Sequence, residues 1–151
     1  MGFLVDVVDI QTSNSIDQLT MNAGVLHRQV SLICWGIAPS SFVQEPYCTV
    51  RARIGELMDG TDLWWPRDDN VVVEDILQKL SEYVLPFLEK MHSLTALEEA
   101  LALKAQGKRR PTYPEILYFA VLKYLNGDLV GASLFSVLSR AGGPGVRKWR
   151  S

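Results

Sequence analysis

The 151-residue chain predicts an α+β fold, a small antiparallel sheet of three or more strands followed by four or so helices packed on it. Three observations carry this. Residues 3–57 are rich in Val and Ile at period-two spacing, the mark of strands. From Asn70 onward the apolar period becomes helical. Two capping-box signatures, "TALE" (95–98) and "TYPE" (112–115), then mark helix starts. Strands first and helices after is the α+β order. One domain is expected over 1–140, with a sheet portion 1–69 and a helical portion 70–140. A flexible basic tail, 141–151, follows.

"FLVDVVDIQTS" (3–13) carries apolar residues on both alternating faces: Phe3, Val5 and Val7 on one, Leu4, Val8 and Ile10 on the other. It is expected to be covered on both sides. "DQLTMNAGVLHRQVSLICW" (17–35) continues as the hairpin partner across "SNSI". There Leu19, Met21, Ala23 and Val25 point one way, and Thr20, Asn22 and Gly24 the other. "GIAPSSFVQEPY" (36–47) reads as a loop. "CTVRARIGEL" (48–57) is the third strand, with Cys48, Val50, Ala52 and Ile54 toward the core and Thr49, Arg51 and Arg53 on the opposite face.

In "NVVVEDILQKLSEYVLPFLEKM" the apolar stripe is Val73, Ile76, Leu77, Leu80 and Val84. Pro86 must end or kink this helix, because it has no amide proton and clashes with the preceding turn. "GKRRP" (107–111) is a loop. "ILYFAVLKYL" (116–125) is apolar nearly all round and is expected to be the buried helix. "NGD" (126–128) supplies a glycine stop and an aspartate cap. A last helix, 129–140, sets Ser133, Ser136 and Ser139 on a polar edge.

No apolar run approaches the roughly 20 residues of a membrane helix. Asp6 and Asp9 interrupt the N-terminal apolar stretch, against a secretory signal. Two cysteines, Cys34 and Cys48, lack CxxC spacing and are expected as buried free thiols in a cytoplasmic, bacterial protein. The net charge of −2 divides unequally, −9 over residues 1–100 and +7 over 101–151. Mutual neutralisation of the two halves is preferred over a basic surface for nucleic acid, since the basic residues are scattered. Nucleic-acid binding would rest on "GKRR", "VRKWR" and the aromatic rings of Tyr113, Tyr118, Tyr124 and Trp149. Tyr118 and Tyr124 read more simply as core.

Four segments in order carry a resemblance: "VVDIQTS", "LTMNAGV", "CTVRARIGELMDGTDLWWP" and a helix ending "VLPFLEKM". The series resembles the bacterial domain-of-unknown-function family 4304 over roughly residues 5–92. Its members share a QxS after an early strand, a strand with a central Asn, and an Arg-x-Arg strand before a Trp-bearing loop. Members usually begin with a helix and a first strand carrying Gly-Phe and basic residues, which are missing here. Either the chain starts late or Met1–Phe3 replaces a lost edge. The resemblance implies a fold and a candidate surface, not a reaction. Farther on, "LKYLNGDLVGASLFSVL" is similar to the centre of a tetratricopeptide repeat and suggests a helical hairpin over 112–140, with Ala132 where two helices meet.

Arg51 and Arg53, two apart on a strand, present two guanidinium forks on one face, suited to a carboxylate or phosphate. Pairing with acids such as Asp6, Asp9 or Glu56 on neighbouring strands is the competing account and is slightly favoured. Gln11, Ser13 and Asn22 are expected to line the same face. Trp64 and Trp65 stand beside Pro66, and burial of both rings is favoured over one serving as a contact hot spot. The loop "DGTDLWWPRDD" lacks the ligand alternation of a calcium loop. His27 and His92 have no metal-spaced neighbours. No nucleophile elbow, phosphate loop or dinucleotide fingerprint is present. No cofactor, metal or membrane partner is therefore expected.

The leading expectation is a non-catalytic interaction module, by analogy an immunity-like binder, that offers the arginine face to an acidic protein. Its rival is an enzyme or binder acting on a small anionic ligand. An exposed sheet edge, if the sheet has one, would suit a homodimer.

Overall fold

The structure is a computed structural model that describes residues 3–15, 17–36, 43–68, 70–107 and 110–133. β1 (Leu4–Ser13) and β2 (Gln18–His27) form an antiparallel hairpin in unbroken register, from Leu4 opposite His27 to Ser13 opposite Gln18. β3 (Val50–Arg53) lies on the other side of β2, and the short β4 (Trp65–Pro66) pairs with Gln18 and Leu19 farther along it. The helices are α1 (Arg28–Trp35), α2 (Ile54–Met58), α3 (Val72–Lys79), α4 (Leu85–Lys90), α5 (Leu94–Ala105) and α6 (Tyr113–Leu125). The α+β architecture, an antiparallel sheet followed by helices, is as the sequence predicts. Residues 129–133 open a further helical segment. Ser136, Ser139 and the tail fall outside the described residues, and so does most of the expected second helix of the hairpin.

One face of the sheet carries the core. Met21, Ala23, Val25 and Val50 pack with Val84 and Leu88, with Leu97 and Leu101 of α5, and with Tyr118, Phe119, Val121 and Leu122 of α6. The apolar helix over 116–125 is thus the buried one, although Tyr124 near its end is exposed rather than core. Its start is the Thr112–Glu115 capping box, made in both directions. The box read at Thr95 is not made. Ser93 caps α5 instead, accepting from the Ala96 amide at 3.0 Å, two residues earlier than the pattern suggested. Val72, Ile76, Leu80 and Val84 turn toward the core, while Val73 and Leu77 are exposed. The stripe is therefore rotated from the one expected.

Pro86 neither ends this helical run nor stands alone in bending it. Without an amide proton it cannot bond the carbonyl one turn back. The chain widens into a π turn over Leu80–Val84, where the Leu85 amide reaches the Leu80 carbonyl, and Pro86 then sits in the first turn of α4.

Four strand expectations are corrected. β1 is not covered on both sides: most of it is exposed, and no strand pairs with its outer edge among the described residues. β2 stops at His27 rather than running to Trp35. There the His27 ring Nδ1 accepts from the Val30 amide at 3.3 Å and caps α1, a role the alternation pattern does not signal. β3 is four residues long, since Ile54 already begins α2. Cys48 is buried, but on the face opposite the core. The Thr49 amide bonds the Val25 carbonyl at 2.9 Å although Val25 is paired with Val50. This bulge-like step changes the side-chain alternation.

β2 is buried from Thr20 to His27 on both faces. The second face is covered by residues 44–48 and by the 61–64 loop, whose Leu63 carbonyl accepts from the Thr20 hydroxyl at 2.7 Å. Close approach here requires Gly24, where a Cβ would stand 2.6 Å from the Cys48 Cβ and 2.7 Å from its Sγ. Gly24→Ala is expected to lower the unfolding free energy by about 1–3 kcal/mol through overpacking. Urea denaturation measures it, and an unchanged midpoint would show that the covering segment yields.

Candidate functional site

The second face gathers most of the polar candidates. Residues directly opposite one another on antiparallel strands share a face, and the register places Asp9, Asn22 and Arg53 in one row, Val7, Gly24 and Arg51 in the next. Arg51 is gripped by Glu45, its Nε 2.7 Å from Oε1 and its Nη2 3.0 Å from Oε2. Glu45 belongs to the 3₁₀ turn Glu45–Tyr47 and is only 4% exposed, whereas Arg51 is 48% exposed. A carboxylate this deep needs a bidentate cation to offset its lost hydration. The Glu45 bond and charge in turn raise the Arg51 pKa.

Arg53 sits in a different set. Its Nη1 lies 3.2 and 3.3 Å from the two Asp62 carboxylate oxygens, and its Nε donates to Asn22 Oδ1 at 3.4 Å. Its guanidinium carbon is 5.4 Å from the Trp64 ring centroid, within cation–π range. Trp64 Nε1 donates to Asp62 at 2.9 Å. That bond, followed by the arginine, holds the Asp62 carboxyl below the usual carboxylate range. Asn22 Nδ2 donates to Gln11 Oε1 at 3.0 Å. Gln11, Asn22, Arg53, Asp62 and Trp64 thus form one connected row.

Ser13 and Trp65 do not join it. The Ser13 hydroxyl is 3.2 Å from that of Ser15 in the hairpin turn. Trp65 is buried in the core and donates to Asp75 of α3 at 2.7 Å. One tryptophan is therefore core and the other a half-buried rim residue, where burial of both was favoured. The competing arginine partners, Asp6, Asp9 and Glu56, are also corrected. Asp6 lies 2.9 Å from the His92 ring, and the arginines take Glu45 and Asp62. Glu45 was missed because the proline-bearing loop gave no sign of folding back over the sheet. Asp62 was missed because its loop read as solvated, although the Asp-x-Trp spacing that joins Asp62 to Trp64 was visible.

Beside β3 runs a groove of about 1180 Å³, bounded by β3, α5 and the start of α6. Its charged lining alternates in sign: Glu45, Glu56 and Glu115 against Arg51, Arg53 and Lys104. The Lys104 ammonium donates to the Arg51 carbonyl. Tyr118, also lining the groove, accepts from Trp35 Nε1 at 3.1 Å, the two rings meeting edge to face. Cys48 borders the groove as an unreactive thiol: burial, and then the Glu45 charge, push its pKa up to about 12. Burial does the same to Cys34. Among the described residues, no group of three or more His, Cys, Asp or Glu could hold a metal ion, and no helix is long and apolar enough to cross a membrane.

A four-stranded sheet with helices on one face and a folded-back polar loop on the other defines a small α+β protein whose charged face is internally paired. Within that class the chain belongs to the family described as Domain of unknown function (DUF4304), whose model matches residues 2–90. The match spans the sheet and α1 to α4, and α5 and α6 lie beyond it. No curated protein and no solved structure gives a significant match.

Arg51→Met is expected to destabilise the fold by about 1–3 kcal/mol, less than for a fully buried pair because the arginine is half exposed. Adding Glu45→Gln is expected to restore part of that loss, and strict additivity in urea denaturation would show that the two residues do not act as a pair. The pH profile has a sign on each side. Burial lowers the His27 pKa from 6.5, so its contribution is full above pH 6.5 and is lost as pH falls and the unfolded ring takes a proton. The thiols, raised from 9.0 to about 12, contribute fully below pH 9, and this is lost as pH rises toward 12. Unfolding free energy is expected to be flat between these limits and to fall on either side. A profile that keeps rising above pH 9 would contradict the thiol assignment.

Proposed function

We propose that this protein is a non-catalytic interaction module that takes an acidic segment of a protein partner along the groove beside β3, with Arg53 and Trp64 as its contact point. The observation that supports this reading is the unequal holding of the two arginines. Arg51 is locked to a carboxylate that water scarcely reaches, whereas the Asp62 partner of Arg53 is 57% exposed. A partner carboxylate can replace Asp62 at little desolvation cost, while replacing Glu45 would leave a buried charge without its counterion. Trp64 beside Arg53 supplies the amphipathic ring that interfaces favour. The protonated thiols support a binding role over covalent catalysis and suit a reducing, cytoplasmic setting. The small-anion reading has less support, because the groove carries acids and bases in alternation rather than one sign.

Affinity capture of the tagged chain from its native cells, read by mass spectrometry, tests this with two variants. Asp62→Asn, which releases Arg53, is expected to retain more of a stoichiometric acidic protein, and Arg53→Glu to lose it. Capture that is indifferent to both substitutions, or an empty eluate from all three proteins, would sink the reading.

A further inference from the structure

We propose that two copies of this chain pair through their β1 strands, antiparallel about a two-fold axis at Val8, so that one sheet runs through the dimer. The argument begins with the backbone. In an antiparallel ladder, the N–H and C=O groups of alternate residues turn toward one neighbour and then toward the other. The Arg28 amide bonds the Phe3 carbonyl at 2.6 Å, so Phe3 and, in unbroken register, Val5, Val7, Asp9, Gln11 and Ser13 turn toward β2. Leu4, Asp6, Val8, Ile10 and Thr12 turn outward, where no strand pairs with them among the described residues. The opposite edge of the sheet is closed, since α5 packs against β3 and Lys104 bonds the Arg51 carbonyl. Of the usual guards of an edge, β1 lacks lysine, proline and a bulge, and its two charges, Asp6 and Asp9, constrain the register of a partner strand.

Charge and register select both the occupant and its alignment. A two-fold axis normal to the sheet pairs residues whose numbers sum to an even value. Centring it on Asp6 or Asp9 sets a carboxylate against its own copy, which is destabilising. Centring it on Val7 pairs Thr12 with residue 2, ahead of the strand. Centring it on Val8 pairs Leu4 with Thr12, Asp6 with Ile10, and Val8 with Val8. Every outward backbone group then meets a complementary one. Val8 and Ile10, 42% and 45% exposed on the helix side of the sheet, join their copies in one apolar cluster. Asp6 keeps His92 as its polar partner and faces no second carboxylate across the axis.

Light scattering coupled to size exclusion tests the assembly. The expected species has twice the 16.9 kDa chain mass. Val8→Pro removes an outward donor that β2 does not use, and Val8→Lys adds like charge at the axis. Each is expected to weaken the dimer at least tenfold with an unchanged far-ultraviolet spectrum, and the lysine variant decides the matter if the proline variant fails to fold. Val8→Cys should crosslink under mild oxidation, because opposed residues of a hydrogen-bonded pair stand about 5.5 Å apart, within disulfide reach. Val7→Cys, opposed by Asp9, should not. A chain of single mass at every concentration, a dimer indifferent to both Val8 variants, or crosslinking through position 7 in place of 8 would overturn the proposal.

Discussion

Strand β2 meets almost no water on either face between Thr20 and His27, and this double burial sets the terms for the rest of the molecule. On the helix side the demand is simple, because Met21, Ala23 and Val25 need only apolar neighbours. On the other side the strand offers Thr20, Asn22 and a glycine, and each buried polar group there must find a partner. Leu63, Gln11 and Arg53 provide those partners. No buried side-chain nitrogen or oxygen is left without a hydrogen bond among the described residues. The cost of this arrangement is a buried carboxylate: the segment that covers Gly24 brings Glu45 with it, and Arg51 exists in its observed geometry to balance that charge. A pair of arginines that looks like a docking device in the sequence is thus first a requirement of the fold.

Period and punctuation made much of the fold legible. The hairpin, the helical layer, the Thr112 capping box and the Asp128 cap, whose carboxylate accepts from the Gly131 amide at 2.8 Å, depend on residues close in sequence. What escaped depends on partners far away. His27 and Arg28 look like the middle of a strand, yet the ring of His27 curls back onto the Val30 amide and caps α1. Thr95 and Ser93 are both fit to cap, and tertiary packing of Leu97 and Leu101 fixes the start of α5 at the earlier one. Gln11, Asn22 and Arg53 were expected on one face because strand alternation is a strict rule, and hydrogen bonds join them there. Their carboxylate partners were not, since loop residues carry no such rule.

The charge division along the chain resolves in the same way where the structure describes it. Lys123 of α6 lies 3.7 Å from Glu98 of α5 and 3.3 Å from Asp128, with its ammonium 5.1 Å from the Phe119 ring centroid. Lys104 is drawn to the sheet edge. Of these bases of the positive C-terminal part, Lys123 is matched by carboxylates at a helix–helix contact, and Lys104 is turned to a backbone carbonyl of the sheet. Lys108, Arg109 and the "VRKWR" tail lie outside the described residues.

Internal pairing also ranks the charged groups by how readily they can be recruited. An ion pair with one partner fully buried resists exchange, since any competitor must leave the buried member balanced. An exposed pair exchanges at little cost because water and salt already screen it. By this measure Glu45–Arg51 is fixed structure and Arg53–Asp62 is exchangeable, and the second stands beside a half-buried aromatic ring and a groove. The residue that the sequence presents as one of two equivalent arginines is therefore distinguished by the solvent exposure of its partner. Exposure of that kind is a property of how the loop folds back over β2, which no spacing of residues along the chain encodes.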